Sequence, residues 1–285
     1  LPIKDLLLHF EAGDANRPVH DFALSLAARL GAHLTAAGIV LDTPPPVSDL
    51  GGEAPDWAIV NNDAVLAELS SARRQRLKDA YRTFAESAPA GVETELAVIQ
   101  TFEQAARDQF ARLAGHFDFT ILSQGAADNQ ALDRMMFSSA LFHSGRPVFL
   151  LPSAYQGPAR LEKALVCWDG GAPAARALAA SLPLLALAQS VEVACVADEG
   201  AQPLPEILPG FNITRHLARH GVAATLQPLA PAEDAASALL NHARDKGVDY
   251  LVMGAYSHWR LSEWIFGGTT RAILAATRMP VLLAH

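Results

Sequence analysis

The chemistry this chain can support is concentrated between Met253 and Arg271. A strand-like run ends at Gly254. The chain then passes Ser257, His258 and Arg260 and reaches Gly267-Gly268-Thr269-Thr270, where a helical pattern begins. Glycine lets a backbone approach an anion closely. Free amides and the dipole at a helix N-terminus favour phosphate, and threonine hydroxyls add donors. The stretch reads as a phosphate cradle. An ordinary strand–loop–helix connection, with Gly at a tight turn and Thr as N-cap, accounts for the same residues and stays open at this level. His258, Arg260 and Arg271 either bring positive charge to the cradle or carry solvated charge.

A second candidate is Asp169, which closes the apolar run Lys163-Ala164-Leu165-Val166-Cys167-Trp168 and precedes Gly170-Gly171. No partner carboxylate or nucleophile stands nearby in sequence, so its expected role is hydrogen bonding to a ligand and not base catalysis. His216 and His220 lie four apart on a predicted helix, as zinc ligands can, but no Cys or carboxylate at ligand spacing completes a set. They read as solvated histidines. Cys167 and Cys195 each sit in an apolar run and read as two buried thiols, not a redox or metal pair. Arg73-Arg74-Gln75-Arg76 reads as the solvated face of a helix. Trp259, Trp264, Ile265 and Phe266 make the long loop apolar, as a contact surface or, less favoured, a lid over a base. The sequence has no G-x-S-x-G elbow, full Walker A motif or post-strand G-x-G-x-x-G loop.

The elements that position these residues occur twice. Asp5-Leu6-Leu7-Leu8-His9-Phe10-Glu11 matches Lys163 to Asp169. Phe117-Asp118-Phe119-Thr120-Ile121-Leu122 matches Val248 to Met253, and Gly145 to Leu151 matches Arg278 to Leu283. Strands are predicted near 4–9, 33–41, 92–98, 117–123 and 147–151, and again near 162–168, 190–197, 222–228, 249–254 and 280–284. Helices are predicted near 63–87, 172–188, 205–220, 232–246 and 268–277. Continuous apolar strands alternating with helices imply parallel sheets covered on both faces. The turn-rich segment Pro152 to Pro158 divides the chain into units at 1–152 and 160–285.

Composition narrows the function classes. The chain has 285 residues, 51% of them apolar and 18% charged, enough for one large or two ordinary cores. The net charge of −8 and the lack of a long Lys/Arg run argue against a non-specific nucleic-acid partner. The longest apolar candidate, Leu178 to Val196, is broken by Ser181, Pro183, Gln189, Ser190 and Glu192, so no membrane association is expected. The start of the chain lacks a signal-peptide pattern. With two unpaired thiols this leads to an expectation of cytoplasmic location.

The 252–271 stretch resembles the C-terminal signature of the universal stress protein family. Nucleotide-binding members carry Gly, two residues, Gly, nine residues, then Gly and Ser/Thr. Gly254 and Gly267 match. Ser257 stands in place of the second Gly, and Gly268 in place of Ser/Thr with Thr269 and Thr270 behind it. Asp169-Gly170-Gly171 matches the opening motif and Met279-Pro280-Val281-Leu282-Leu283 the closing one. The resemblance spans the second half and, more weakly, the first as a tandem copy. It implies two doubly wound α/β sheets of five parallel strands, in order 3-2-1-4-5. The two halves would form a pseudo-dimer in which Pro280–Ala284 pairs with Pro147–Leu151. A further homodimer stays open.

The resemblance also implies a ligand, an adenine nucleotide, with ATP and Mg2+ expected. Asp169 would hold adenine or ribose. Val196, Met253 and Gly254 would pack on the base, and Gly267, Gly268, Thr269 and Thr270 would hold phosphates, with Ser257 in the loop between. In the first half Glu11 replaces the Asp, and Asp128 and Asp133 place negative charge in the corresponding loop. Ser138-Ser139 falls near the expected helix start. No nucleotide is expected there. Two rivals accompany this regulatory reading. One is a stress protein acting through protein contacts or another small ligand. The other, weaker reading is a slow ATPase or self-phosphorylating enzyme.

Overall fold

The computed structural model of the chain describes residues 2–42, 56–125, 130–196, 212–230, 234–255 and 268–285. The first half runs β1 (Asp5–His9), α1 (Arg17–Leu30), β2 (His33–Leu41), α2 (Asp56–Glu86), β3 (Thr94–Thr101), α3 (Glu103–Ala114), β4 (Phe119–Ser123), α4 (Gln130–His143) and β5 (Val148–Leu151). The second repeats it: β6 (Lys163–Cys167), α5 (Ala172–Leu185), β7 (Ser190–Val196), α6 (Ile213–Arg219), β8 (Ala224–Leu229), α7 (Ala235–Lys246), β9 (Tyr250–Gly254), α8 (Gly268–Ala276) and β10 (Val281–Ala284).

The central strands are apolar at consecutive positions because helices cover both faces. Leu6, Leu7 and Leu8 are all fully buried, which a one-sided sheet would not require. Local signals bound the helices. Asp234 and Asn212 accept the amides of Ser237 and Arg215 at the starts of α7 and α6. Gly31 and Gly247, at φ 58° and 63°, supply the left-handed residue that ends α1 and α7.

Each half has the order 3-2-1-4-5, and the two halves merge into one ten-stranded sheet, β3-β2-β1-β4-β5-β10-β9-β6-β7-β8. The junction is the only antiparallel pairing among the described strands, with Val281 opposite Leu150, Leu282 opposite Phe149 and Leu283 opposite Val148. This is the expected pairing of the two final strands. It satisfies what would otherwise be two open edges. The halves therefore run in opposite senses, and the carboxyl ends of β1 and β4 emerge on the opposite side of the sheet from those of β6 and β9.

Side-chain alternation sorts the core into two layers that cross the junction. Leu6, Leu8, Phe149, Val166 and Leu282 face α1, α2, α5 and α6. Leu7, Leu150, Leu165, Val281 and Leu283 face α3, α4, α7 and α8. The two halves thus share both hydrophobic layers. Residues 152–162 connect them, tied down by Arg29, whose guanidinium donates to Ala159 O at 3.1 Å and to Glu162 at 2.6 Å.

Several boundaries differ from the sequence pattern. Helix α2 begins at Asp56 instead of 63, and α5 ends at Leu185 instead of 188. Pro183, inside the last turn of α5, lacks the amide that would continue the hydrogen-bond ladder. Residues 205–211 of the helix predicted at 205–220 lie outside the described residues. Pro228 is accommodated in β8 because that strand is the sheet edge.

Candidate functional site

The second half reverses its winding at β6, which has β7 on one side and β9 on the other. Ligands favour the crevice at such a switch point in open α/β sheets. Cys167 lies opposite both Ala194 and Met253 in register, so the ends of β7 and β9 flank the end of β6. Asp169 stands two residues beyond, exposed on the rim, and its Oδ1 accepts the amide of Gly171 at 2.7 Å. That local bond folds the chain into α5, with Gly170 at φ 76°.

Gly254 has a packing role that its sequence motif does not reveal. A Cβ there would collide with the amide of Ala174 and lie 2.6 Å from the carbonyl carbon of Pro173, both in the first turn of α5. Helix α5 can seat against β9 only because residue 254 has no side chain. Met253 is buried, and Val196 is half-buried at the end of β7. Both lie on the sheet face that carries α7 and α8, beside Ile273 and Leu274.

Helix α8 begins at Gly268, which is exposed with open space where a Cβ would stand. Thr269 is exposed, whereas Thr270 is buried. Arg271 is also exposed. Ser257, Gly267, His258, Arg260 and the apolar residues Trp259, Trp264, Ile265 and Phe266 lie outside the described residues. The structure thus puts Val196, Met253 and the buried side of α8 on one face of the sheet and leaves Asp169 on the rim of the switch point.

The other candidates resolve on geometry. Cys167 packs into the layer under α7 and α8, and Cys195 into the layer on the opposite face. Burial, with the charge of Asp169 and the neighbouring thiol, pushes Cys167 up to about 12. Burial and then Asp169 raise Cys195 as well. Both stay protonated thiols, and the thiolate is the reactive form. His216 and His220 meet edge to face at 4.8 Å. Among the described residues no group of three or more His, Cys, Asp or Glu is placed to hold a metal ion. The Arg73–Arg76 run is exposed, with Arg73 donating to Leu41 O at 2.8 Å.

The first half carries different residues at the corresponding positions. Leu6 lies opposite Phe119 as Ala164 lies opposite Tyr250, so Ser123, and not Gly125, takes the place of Gly254. Helices α4 and α8 end at equal distances from the next strand, which aligns Met136 and Phe137 with Thr269 and Thr270. Both are buried. Ser138 and Ser139 are therefore well inside α4 and not at its start, and the Ser139 hydroxyl donates to Arg107 O at 2.5 Å. Asp128 lies outside the described residues. Asp133 is not a loop charge. It is buried on α4 at 3% exposure, and burial, then the charge of Glu11, raises its carboxyl to about 7.

Sequence reasoning also missed His9, Gln124 and His285. His9 is fully enclosed, and burial lowers it to about 4. Gln124 Nε2 donates to Leu274 O of α8 at 2.6 Å, across the junction. His285 bonds Ala255 O through Nδ1 at 2.8 Å and lies edge-on to Phe142 of α4. A polar residue at the end of an apolar strand, as His9 is, was the one available signal.

No protein-family model and no curated protein matches the chain. Solved structures do. A universal stress protein from Archaeoglobus fulgidus DSM 4304 is similar over 98% of this chain and 97% of its own, at 14% identity and a TM-score of 0.64. A putative universal stress protein from Pseudomonas aeruginosa UCBPP-PA14 is similar over 99% and 93%, at 15% identity and a TM-score of 0.52. A functionally unknown protein from Pseudomonas aeruginosa PAO1 is similar over 99% and 92%, at 14% identity and the same TM-score of 0.52. At such identities the likeness is one of fold. No helix of the described residues is long and apolar enough to cross a membrane. Two 3-2-1-4-5 halves, joined back to back in one sheet and matched end to end by these structures, give this chain the fold of a tandem universal stress protein.

Proposed function

We propose that the C-terminal half binds an adenine nucleotide, ATP with Mg2+, as a regulatory ligand and not as a turnover substrate. The observation that carries this reading is the contrast between the halves after their fourth strands. The second half opens its helix with exposed Gly268 and Thr269, and the first half places buried Met136 and Phe137 in register with Thr269 and Thr270. A helix start with free amides and a hydroxyl suits phosphate, whereas the matching positions of the first half are buried apolar residues inside α4, which starts at Gln130. The residues present fit the group. Asp169 offers an exposed carboxylate to adenine or ribose, half-buried Val196 offers apolar surface to the base above buried Met253, and Gly268 leaves room for phosphate. Mg2+ usually keeps several waters and binds through substrate phosphates.

Calorimetric titration of nucleotide-stripped protein with ATP and Mg2+ tests the reading. One site per chain, lost in Asp169→Ala, is the expected result. No heat and no thermal shift at millimolar ATP would overturn it.

A second reading is a protein of this fold that acts through protein contacts or another small ligand. Two observations favour it. Gly254 is fully accounted for by the seat of α5, and Asp169 already serves the turn to Gly171. On this reading Ser257→Gly with Gly268→Ser creates nucleotide binding that the parent lacks.

A further inference from the structure

At the end of β1 in the first half, on the face that carries α3 and α4, sits a closed polar cluster. Among the described residues nothing hydrogen-bonds His9 Nε2 or either carboxylate oxygen of Asp133, and all three atoms are buried. Buried polar atoms are nearly always satisfied, because leaving one unpaired costs about 1–3 kcal/mol. His9 Nδ1 lies 3.8 Å from Asp133 Oδ1, just beyond hydrogen-bond reach. Phe110 of α3 closes the other side, edge-on to the His9 ring at 5.5 Å. The Asp133 carboxylate is seated against Gly125, where a Cβ would collide with Oδ2. Next to Gly125, Gln124 reaches across the junction to the Leu274 carbonyl of α8. Helix α8 carries Gly268 and Thr269 at its other end.

We propose that Asp133 is a proton-binding site that sets the packing of α4 on β1, and that Gln124 relays this packing to α8 and so regulates the candidate site of the second half. The last step rests on the nucleotide reading above, whereas the proton site and its relay do not. With the proton bound, a small inward movement of α4 lets the carboxyl O–H donate to the neutral Nδ1 of His9, which pairs one atom of each group and leaves the Nε2–H of His9 without a partner among the described residues. When the proton leaves to solvent, the carboxylate is buried beside Glu11 with no donor among the described residues. It then gains by moving outward, and Gly125, the neighbour of Gln124 in the chain, lies directly against it.

Among the described residues the charged and titratable groups on the elements around the cluster are few. His9 and Glu11 face it from β1 and the turn that follows. Arg107 and Asp108 stand on α3, and Arg134 and His143 on α4. Of these, Glu11 is the one whose charge raises Asp133, in the same direction as burial. Arg107 is engaged with His143 and, through its carbonyl, with Ser139. Protonated Asp133 and neutral His9 are compatible near pH 6, because burial holds His9 down at about 4.

Hydrogen exchange read by mass spectrometry on the full chain tests the proposal, at pH 6 and pH 8 with intrinsic rates corrected. In the wild type, protection of peptides covering α4 and α8 is expected to fall together, at least threefold, between the two values. Asp133→Asn, which mimics the protonated carboxyl, should hold both at the pH 6 level. Gln124→Ala should leave the α4 response and remove that of α8. A flat α4 profile in the wild type, or an Asp133→Asn profile that follows it, overturns the proton site. An α8 response that persists in Gln124→Ala overturns the relay. The ATP affinity ratio between pH 6 and pH 8 is then measured in wild type and Gln124→Ala. A ratio that collapses to one only in the variant supports regulation, and an equal ratio in both refutes it. Absence of ATP binding at either pH removes the nucleotide reading and its regulation, while the exchange data still decide the site and its relay.

Discussion

Asp118 and Asp249 hold the same post in the two halves. Asp118 Oδ2 accepts the amides of Lys4 and Asp5 at 2.7 and 3.1 Å, and Asp249 Oδ2 accepts those of Glu162 and Lys163 at 3.0 and 2.8 Å. Each carboxylate thus ties the approach to strand four to the start of strand one, before any ligand is considered. Hydrogen bonds to a charged group contribute about 1.5–3 kcal/mol. Asp118→Ala and Asp249→Ala should each lower stability by about 2 kcal/mol. The two share no partners, so their effects should add. Chemical denaturation of the single and double variants checks this.

Gly254→Ala should destabilise the protein without any ligand present. Its methyl meets backbone of α5, which cannot step aside as the tip of a flexible side chain would. Overpacking of this kind costs about 1–3 kcal/mol. A melting temperature within a degree of the parent would refute the packing role. The variant is therefore unsuitable as a probe of nucleotide contact.

Thr269 and Thr270 should separate binding from folding. Thr269 is exposed at the helix start and Thr270 is buried. Thr269→Ala is expected to weaken ATP about tenfold, the loss of about 1.4 kcal/mol, at unchanged melting temperature. Thr270→Ala is expected to lower the melting temperature first. Calorimetry beside thermal melts distinguishes the two.

The buried pair makes stability depend on pH in two directions. The folded pKa of Asp133 is raised from 3.8 to about 7, so the folded state holds its proton more tightly than the unfolded chain. The resulting penalty starts as pH rises past 3.8 and is complete above about 7. The folded pKa of His9 is lowered from 6.5 to about 4, so its penalty starts as pH falls below 6.5 and is complete below about 4. Relative to wild type, Asp133→Asn should gain on the order of 2 kcal/mol between pH 4 and pH 8. Denaturant titrations at both values measure that change, and a pH-independent difference would refute it.

Cys167 and Cys195 should form no intramolecular disulfide under oxidant. They belong to hydrophobic layers on opposite faces of the sheet, and their thiols are held protonated. A thiol-reactive dye should modify both slowly in the folded protein and promptly in denaturant. Rapid labelling of the native chain would contradict this.

Much of this architecture is written in local sequence. Runs such as Leu6-Leu7-Leu8 and Leu251-Val252-Met253 are apolar at every position, which only a doubly covered strand requires, so strand positions were legible to within a few residues. The repeated order of blocks also exposed the tandem, and Pro280–Ala284 was a recognisable edge in need of a partner. What the sequence could not carry was anything decided by atoms far apart along the chain. The glycine at 254 has the look of a ligand residue in its motif, but the first turn of α5, some eighty positions earlier, dictates it. Asp133 has the look of a loop charge until α4, starting at Gln130, turns it inward onto His9 and Gly125. Periodicity records which face of an element is buried. Only the packed fold decides which buried polar group meets which, because that depends on distances between elements that no local pattern encodes.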